Sequence, residues 1–192
     1  MIDDKHDESE LWELARHNDG GAFAALFDSH RDRVYRRVLG LVDSTHDAED
    51  VTAAAFFELW RRRGSVRLAG GSVLPWLLVT AVNLSRNAHR STARYRRLMG
   101  SLPREAVAPG PDLDHLDTRQ RLMSSLRRLT PADAALFVLT VLEDVSLAQA
   151  AESLGMKPST ARVRLHRARA RLRDELHDLN PNPRFASKGS QP

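Results

Sequence analysis

The chain has 192 residues, a formal net charge of +4 and no cysteine, which excludes a disulfide framework and any thiolate metal or catalytic site. No run is long and apolar enough to span a membrane, and the acidic N-terminus is the opposite of a signal peptide, so we expect a soluble, cytoplasmic protein. Of the 29 basic residues only Lys5, Lys157 and Lys188 are lysines, and the planar fork of arginine suits phosphate and guanine.

Residues 1–19 form an acidic N-terminal arm, with six Asp or Glu residues between positions 3 and 13. Leu11, Trp12 and Leu14 predict a short docking helix, and we expect the first ten residues to be mobile. One hypothesis for the arm is that its acids shield the basic surfaces of the free protein.

Residues 20–99 predict a first helical domain, because apolar residues recur on one helical face from Phe23 onward. A second helix is predicted from Asp47 to Arg63. Either Ser44 or Thr45 caps it, and acidic residues in its first turn interact favourably with the helix dipole.

The segment Gly64–Ser72 contains three glycines and predicts a loop. A long helix follows from about Pro75 to Met99, without an internal glycine or proline. Trp76 could stack on an unpaired base, but its position favours the core. Amide and guanidinium groups suit base edges and phosphates, and they share one face of this helix at Asn83, Arg86, Asn87, Arg90, Arg94 and Arg97.

Residues 100–115 are rich in proline and lack periodicity, which predicts a flexible linker between two domains. The second domain is expected over residues 116–178, and the polar tail 179–192 is expected to be disordered. Within this domain Leu122, Leu126 and Leu129 share one helical face, and Thr130-Pro131 begins a further helix that carries Leu136, Leu139 and Leu142.

The segment from Ser146 to Arg173 predicts a helix-turn-helix. Ser146 and Gln149 form a capping box, Gly155 suits a left-handed helix end, and Pro158 suits the first turn of the next helix. No acidic residue interrupts the second helix, whose remaining surface is mostly arginine, as expected for a helix that enters a major groove. Its apolar seam is predicted at Ala161, Leu165, Ala168 and Leu172.

The pattern therefore predicts an all-α protein of two small helical domains, the C-terminal one a helix-turn-helix. A basic face on each of two domains held apart by a tether indicates binding to two DNA elements at a fixed separation, as in a promoter. A repressor or activator with an N-terminal sensor domain is an alternative, but it leaves the Asn and Arg face at 83–97 unexplained. No carboxylate cluster, phosphate loop or activated nucleophile points to an enzyme, so we expect no catalytic residue, metal or cofactor.

The chain resembles the extracytoplasmic-function (ECF) group of bacterial sigma factors, in the sigma-70 family. Three blocks carry the resemblance, in the family's order and with a proline-rich linker before the third. They are DAEDVTAAAFFELW from Asp47 to Trp60, PWLLVTAVNLSRNAHR from Pro75 to Arg90, and SLAQAAESLGMKPSTARVRLHRARARL from Ser146 to Leu172.

The resemblance implies a role for each block. The first would dock on the clamp helices of core RNA polymerase through Asp47, Glu49, Asp50, Phe56 and Trp60, of which the two aromatic residues could equally be core. The second would melt and read the −10 element, while the loop Gly64–Ser72 captures an extruded base; its DNA-binding residues are Asn83, Arg86, Asn87 and Arg90. The third would read the −35 element through Ser159, Thr160, Arg162, Val163, Arg164 and Arg167.

The partners implied by the resemblance are core RNA polymerase, promoter DNA and an anti-sigma factor. The sequence departs from the family pattern in two of the three blocks. Ala53 and Ala54 replace a Gln-Glu pair in the polymerase-binding block, and Val82 and Asn87 stand where a basic and an acidic residue are commoner.

Overall fold

Eight α-helices account for most of the residues that this computed structural model describes, which are 7–99 and 113–177, with side chains except at 89–99 and 113–120. Within these ranges only one isolated bridge, between Ala69 and Ser72, has β character, so the all-α prediction is confirmed. The helices are α1 (Glu8–Arg16), α2 (Gly20–Leu39), α3 (Thr45–Arg61), α4 (Leu74–Met99), α5 (Leu113–Arg128), α6 (Pro131–Phe137), α7 (Leu147–Ser153) and α8 (Pro158–Glu175).

The boundaries of the predicted linker and tail lie mostly outside the described residues. Residues 100–112 of the linker and the whole tail 179–192 are among those not described. The last three linker positions, 113–115, belong instead to the first turn of α5.

Helix α1 begins earlier than the sequence suggested. Residues 7–10 were expected to be mobile, but the Asp7 carboxylate caps the helix by accepting a hydrogen bond from the amide of Ser9. Trp12 and Ala15, three residues apart, are both buried. Because this apolar pair packs in the core, α1 is an integral part of the fold rather than a free arm.

Helix caps follow the local rules that the sequence displays. Ser44, not Thr45, caps α3, and its hydroxyl accepts a hydrogen bond from the Asp47 amide at 3.0 Å. The predicted capping box of Ser146 and Gln149 at α7 is confirmed. Gly155 has φ of +63°, the left-handed conformation expected at the turn before α8.

The helix that begins at Thr130 is not continuous. Helix α6 ends at Phe137, and a π-helical turn spans Val138–Leu142. Of the three leucines predicted on one helix, Leu136 lies on α6, whereas Leu139 and the half-buried Leu142 lie in the π-helical turn. Asp144 then takes a left-handed φ of +53°. The widened turn and this reversal bring Glu143 back toward α2.

Glu143 joins the C-terminal helices to the N-terminal ones. Its side chain is fully buried, and its carboxylate accepts hydrogen bonds from both Arg33 and Arg37, one helical turn apart on α2. Arg37 also donates to the carbonyl of Leu142 at 2.6 Å. We call this arrangement the Glu143 latch. A buried carboxylate is tolerated because two guanidinium groups compensate its charge.

A second connection lies at the end of α2. Arg127 of α5 donates to the Asp43 carboxylate and to the Val42 carbonyl, each at 2.8 Å. Gly40 is packed so closely against Met123 that a Cβ there would collide with the methionine side chain.

The two predicted domains are therefore in contact in this structure. Helix α4 packs against α6 and α7, and one continuous apolar core includes Leu26 and Leu77 on one side and Leu126 and Leu136 on the other. The expectation that a tether holds the two basic helices apart is not met in this arrangement, because the Glu143 latch and the shared core join them.

The turn before α8 provides a test of the local fold. Gly155→Ala places a side chain in a left-handed conformation that L residues disfavour, although no atom lies within 4 Å of the added Cβ. We expect this change to lower the free energy of unfolding by about 1 kcal/mol, measured by urea denaturation. Gly64→Ala is the matched control, because Gly64 also faces open space and lacks a left-handed φ. Equal losses in the two variants would contradict this explanation.

Candidate nucleic-acid interface

Helix α8 presents one buried and one exposed face, as the sequence predicts. Its seam at Ala161, Leu165, Ala168 and Leu172 is buried, and the seam holds α8 against α6 and α7. The opposite face is open to solvent from the first turn onward. Val163, an apolar side chain, is 50% exposed among polar neighbours. Of the predicted −35 residues, those that are exposed are Ser159, Thr160, Arg162, Val163 and Arg167.

Arg164 differs from the other predicted −35 residues. Its Nε donates to the Asp133 carboxylate at 2.7 Å, and another guanidinium nitrogen donates to the Thr130 hydroxyl at 2.9 Å. Both partners lie at the start of α6, where Thr130 is the N-cap. Arg164 thus fastens α8 to α6, and its guanidinium is already engaged within the protein.

The predicted −10 face of α4 is only partly open. Asn83 and Asn87 are exposed, but Arg86 donates a hydrogen bond to the carbonyl of Leu129, at the end of α5. The side chain of Arg90 lies outside the described residues, as do those of Arg94 and Arg97. Val82 is buried against this packing, which explains an apolar residue there.

The contact between α4 and the C-terminal helices is imperfectly filled. A cavity of about 170 Å³ lies there, lined by Val82, Ser85, Leu126 and Ala134 among others. Beside it the Nε of Arg127 is buried without a hydrogen-bond partner in the described part of the chain. An interface with a void and an orphaned donor is weaker than a close-packed core.

The loop 64–72 ends in a tight turn. Gly70 and Gly71 both have left-handed φ values, +64° and +80°, and the backbones of Ala69 and Ser72 pair across them. A side chain at Gly70 would collide with the amide of Gln149, so this glycine allows α7 to approach the loop. The predicted base-capturing loop is therefore in contact with the C-terminal helices.

The predicted polymerase-binding residues fall into two groups. Glu49 and Asp50 are exposed on α3, and the Asp47 carboxylate, half-buried, accepts a hydrogen bond from the Ser44 hydroxyl. Phe56 belongs to the core, whereas Trp60 is only half-buried. Phe56 is 3% exposed, with its ring centroid 4.7 Å from that of Phe27, and Trp60 contacts Phe23 at 5.0 Å. Burial leaves Phe56 little surface for a partner, whereas Trp60 keeps part of its surface exposed, with the Arg63 guanidinium 4.2 Å from its ring centroid, so a polymerase-binding role for the two stays a prediction.

Sequence reasoning missed Phe57, which is 64% exposed on α3. Adjacent helical residues point about 100° apart, so Phe56 and Phe57 cannot both face the core. Phe57 lies four residues after the exposed Ala53 and seven after Asp50, which places all three on one face with Glu49 nearby. The signal was the doubled phenylalanine, and only packing decided which one is exposed.

Helix α1 contacts the end of the loop 64–72 and the start of α4 through Glu8. Its Oε1 accepts hydrogen bonds from His30 Nε2 at 2.9 Å, the Ser72 hydroxyl at 3.0 Å and the Val73 amide at 2.7 Å. Burial raises the pKa of this carboxyl, but the hydrogen bonds from His30, Val73 and Ser72 outweigh it, so the pKa lies below its ordinary value.

Residues 7–99 and 113–177 contain neither a metal-binding cluster nor a membrane-spanning helix. No group of three or more His, Asp or Glu side chains is arranged there to hold a metal ion. No helix in these ranges has the length and apolar character needed to cross a membrane.

The fold and the α7–α8 geometry place the chain among helix-turn-helix proteins, and comparisons with known proteins narrow the class. Residues 26–95 match sigma-70 region 2, and residues 119–172 match sigma-70 region 4. Region 2 thus covers most of α2, α3 and most of α4, whereas region 4 covers most of α5 and the helices up to Leu172 of α8.

Relatives support these matches. The ECF RNA polymerase sigma factor SigE of Mycolicibacterium smegmatis is 34% identical over 158 residues, 79% of this chain and 60% of SigE. The RNA polymerase sigma factor CarQ of Myxococcus xanthus is 31% identical over 172 residues, 86% of this chain and 97% of CarQ. The structure of the sigma factor RpoE of Bartonella quintana, in complex with the anti-sigma factor NepR, has a TM-score of 0.57 at 21% identity, covering 81% of this chain and 96% of RpoE. The chain belongs to the ECF group of the sigma-70 family.

The contacts of Arg164 predict a stability difference within α8. Arg164→Ala removes a partly buried ion pair and a hydrogen bond to the α6 cap, so we expect it to lower the free energy of unfolding by about 1 kcal/mol. Arg162→Ala, two residues away and exposed, is the control, with an expected change below about 0.5 kcal/mol. Thermal or urea denaturation of both variants measures the difference, and equal stabilities would show that the ion pair contributes nothing.

Proposed function

We propose that this chain is an alternative sigma factor that binds core RNA polymerase and directs promoter-specific transcription initiation. The observation that carries the proposal is the solvent-exposed arginine face of α8, in a helix-turn-helix that shares one chain with a region 2 match. Such a factor acts through binding energy and catalyses no covalent step. Its place is the cytoplasm, where promoter DNA and polymerase are found.

Recognition of the −35 element is assigned to the N-terminal half of α8. Ser159, Thr160 and Arg162 lie in the first turns, where a recognition helix contacts base edges. Exposed Val163 suits contact with a thymine methyl group, and Arg167 suits a phosphate. Arg164 donates a hydrogen bond to Asp133, so we assign it the role of positioning α8 in preference to that of contacting a base.

Recognition of the −10 element is assigned to α4 and the loop 64–72. Asn83 and Asn87 offer amide groups to base edges, with Arg86 and Arg90 beside them on the same helix. Extruding a base costs a few kcal/mol, which contacts in a loop pocket must offset. The tight turn at Gly70 and Gly71 gives this loop a defined shape.

Polymerase binding is assigned to the exposed face of α3. Glu49 and Asp50 supply negative charge, and Asp47 stands at the helix start. Phe57 supplies the apolar contact that the buried Phe56 cannot, and the half-buried Trp60 stays a candidate beside it. Aromatic residues with a charged rim are typical of energetically important interface positions. Ala53 on the same face allows close approach of a partner helix.

An anti-sigma factor is a further proposed partner. RpoE, which shares the fold, is the sigma factor in a complex with an anti-sigma factor. Such a partner here would gain most by holding the C-terminal helices against α4, because that contact already covers part of the proposed −10 face.

The proposed function requires the two regions to separate. When the Glu143 latch is closed, Arg86 donates a hydrogen bond to the Leu129 carbonyl and the loop 64–72 contacts Gln149. Neither Arg86 nor the loop is then free to bind DNA. The cavity and the orphaned Arg127 Nε between the regions reduce the cost of opening. We therefore assign the opening of the Glu143 latch to the step in which polymerase is bound.

The latch provides a prediction for the free protein. Glu143→Gln removes the charge that Arg33 and Arg37 compensate, so we expect the closed arrangement to weaken by about 2 kcal/mol. Small-angle X-ray scattering should then show a larger radius of gyration, and the affinity of the free protein for single-stranded DNA should rise severalfold.

The neighbouring residue provides the control for the latch. Asp144→Asn removes one charge next to the latch at an exposed site, and asparagine tolerates the left-handed φ of +53°. We expect this variant to match the wild type in both measurements. A Glu143→Gln protein as compact as the Asp144→Asn protein would show that the latch does not hold the regions together.

Run-off transcription tests the proposed function directly. Bacterial core RNA polymerase, this chain and a library of genomic promoters should yield transcripts from a subset that shares two sequence elements. At those promoters Arg162→Ala should weaken binding by about 1–3 kcal/mol and relax the preference at one −35 position. A chain that fails to associate with core polymerase yet binds one palindromic duplex would be a repressor or activator instead.

A further inference from the structure

Glu8 shares the capping of helix α4 with the local residue Ser72. Helix α4 begins at Leu74, so the residues before it are Ser72 and Val73, and valine has no side chain that can accept a hydrogen bond. The Val73 amide donates to Glu8 instead, from a helix 65 residues away in the chain. Ser72 completes the cap, because its hydroxyl accepts from the Leu74 amide and donates to Glu8. A carboxylate at the start of a helix is also favourable for the helix dipole.

The same carboxylate fixes the position of the loop 64–72. Ser72 is both a Glu8 partner and the last residue of the tight turn, paired with Ala69 through two backbone hydrogen bonds. The Ser9 hydroxyl lies 3.7 Å from where a Cβ of Gly71 would stand, so the start of α1 also lies against the turn. His30 of α2 holds the carboxylate from the other side. One oxygen atom of Glu8 therefore joins α1, α2, the loop and the start of α4.

Glu8 can hold these elements together because its carboxylate is largely withdrawn from water. Its side chain is 25% exposed and that of His30 is 12% exposed, whereas Glu10 and Glu13 of the same helix are exposed. Three donors converge on Glu8 Oε1, and the carboxyl stays ionised because the hydrogen bonds outweigh the effect of burial. Charge-assisted hydrogen bonds of this kind are stronger than neutral ones.

We propose that Glu8 is a positioning residue for promoter opening, which sets the loop 64–72 against the start of α4 so that the loop can accept a base extruded from the −10 element. The inference rests on the proposed function, since it assigns that loop to base capture. Glu8 itself touches no DNA. It acts through Ser72 and Val73, and it gives the acidic N-terminal segment a role distinct from electrostatic shielding.

Transcription from two forms of one template tests the proposal. The full chain with core RNA polymerase is assayed on a promoter selected in the run-off screen, once as a duplex and once with its −10 region already unpaired by mismatches. We expect Glu8→Ala to lower transcription from the duplex about fivefold to tenfold, the effect of losing one helix cap. On the unpaired template the loss should shrink to less than about twofold, because base extrusion no longer has to be driven by the loop.

Glu10→Ala is the matched control, an exposed glutamate on the same helix, and it should leave both templates unaffected. Amide hydrogen exchange at residues 69–74 should accelerate in Glu8→Ala and not in Glu10→Ala. Glu8→Gln keeps the shape of the side chain and loses its charge, so its transcription from the duplex should fall between that of the wild type and that of Glu8→Ala. If Glu8→Ala does not fold, Glu8→Gln must show the larger loss on the duplex and the smaller loss on the unpaired template.

Two outcomes would overturn the proposal. An equal loss on both templates would reduce Glu8 to a general stabiliser of the fold, and unchanged transcription from the duplex would leave the loop independent of Glu8. Failure of the proposed function is distinguishable from both, because the wild-type chain would then give no transcript from either template.

Discussion

A carboxylate that is removed from water must find compensating charge inside the protein, and Glu143 finds it on α2. This one requirement determines how the C-terminal helices are seated. The π-helical turn and the left-handed Asp144 direct Glu143 toward Arg33 and Arg37, and α6 and α7 then lie across α4. The shared core and the contacts of Arg86 and Arg127 follow from that placement.

The latched arrangement treats the two proposed DNA-binding surfaces differently. Most of the arginine face of α8 remains open to solvent. On α4, by contrast, Arg86 donates a hydrogen bond to the Leu129 carbonyl, and the loop 64–72 that precedes α4 lies against Gln149. A protein in this state would present its proposed −35 face and withhold much of its proposed −10 face. Binding of single-stranded DNA would then depend on opening, which gives polymerase or an anti-sigma factor one equilibrium to control.

Charged residues that look alike in the sequence have unlike roles in the structure. Glu8 is one of six acids in an N-terminal segment that suggested a solvated arm, yet it caps a helix and orders a loop. Arg164 is one of six arginines between Pro158 and Arg173 of α8, a stretch without an acidic residue, yet it is paired with Asp133. In both cases the pairing lowers the cost of holding a charge away from bulk water, and the residue contributes to the fold before it contributes to binding.

The sequence by itself determined what depends on neighbours within a few residues. Helix type, the capping box at Ser146, the glycine turn at Gly155 and the buried seam of α8 all follow from local periodicity and hydrogen bonding. Only the tertiary structure decided which of Phe56 and Phe57 is buried, and what Glu8 and Glu143 contact. Glu8 and its partner Val73 are 65 residues apart in the chain, and Glu143 and its partner Arg33 are 110 residues apart. No local pattern encodes such pairs, because they exist only once separate helices pack together.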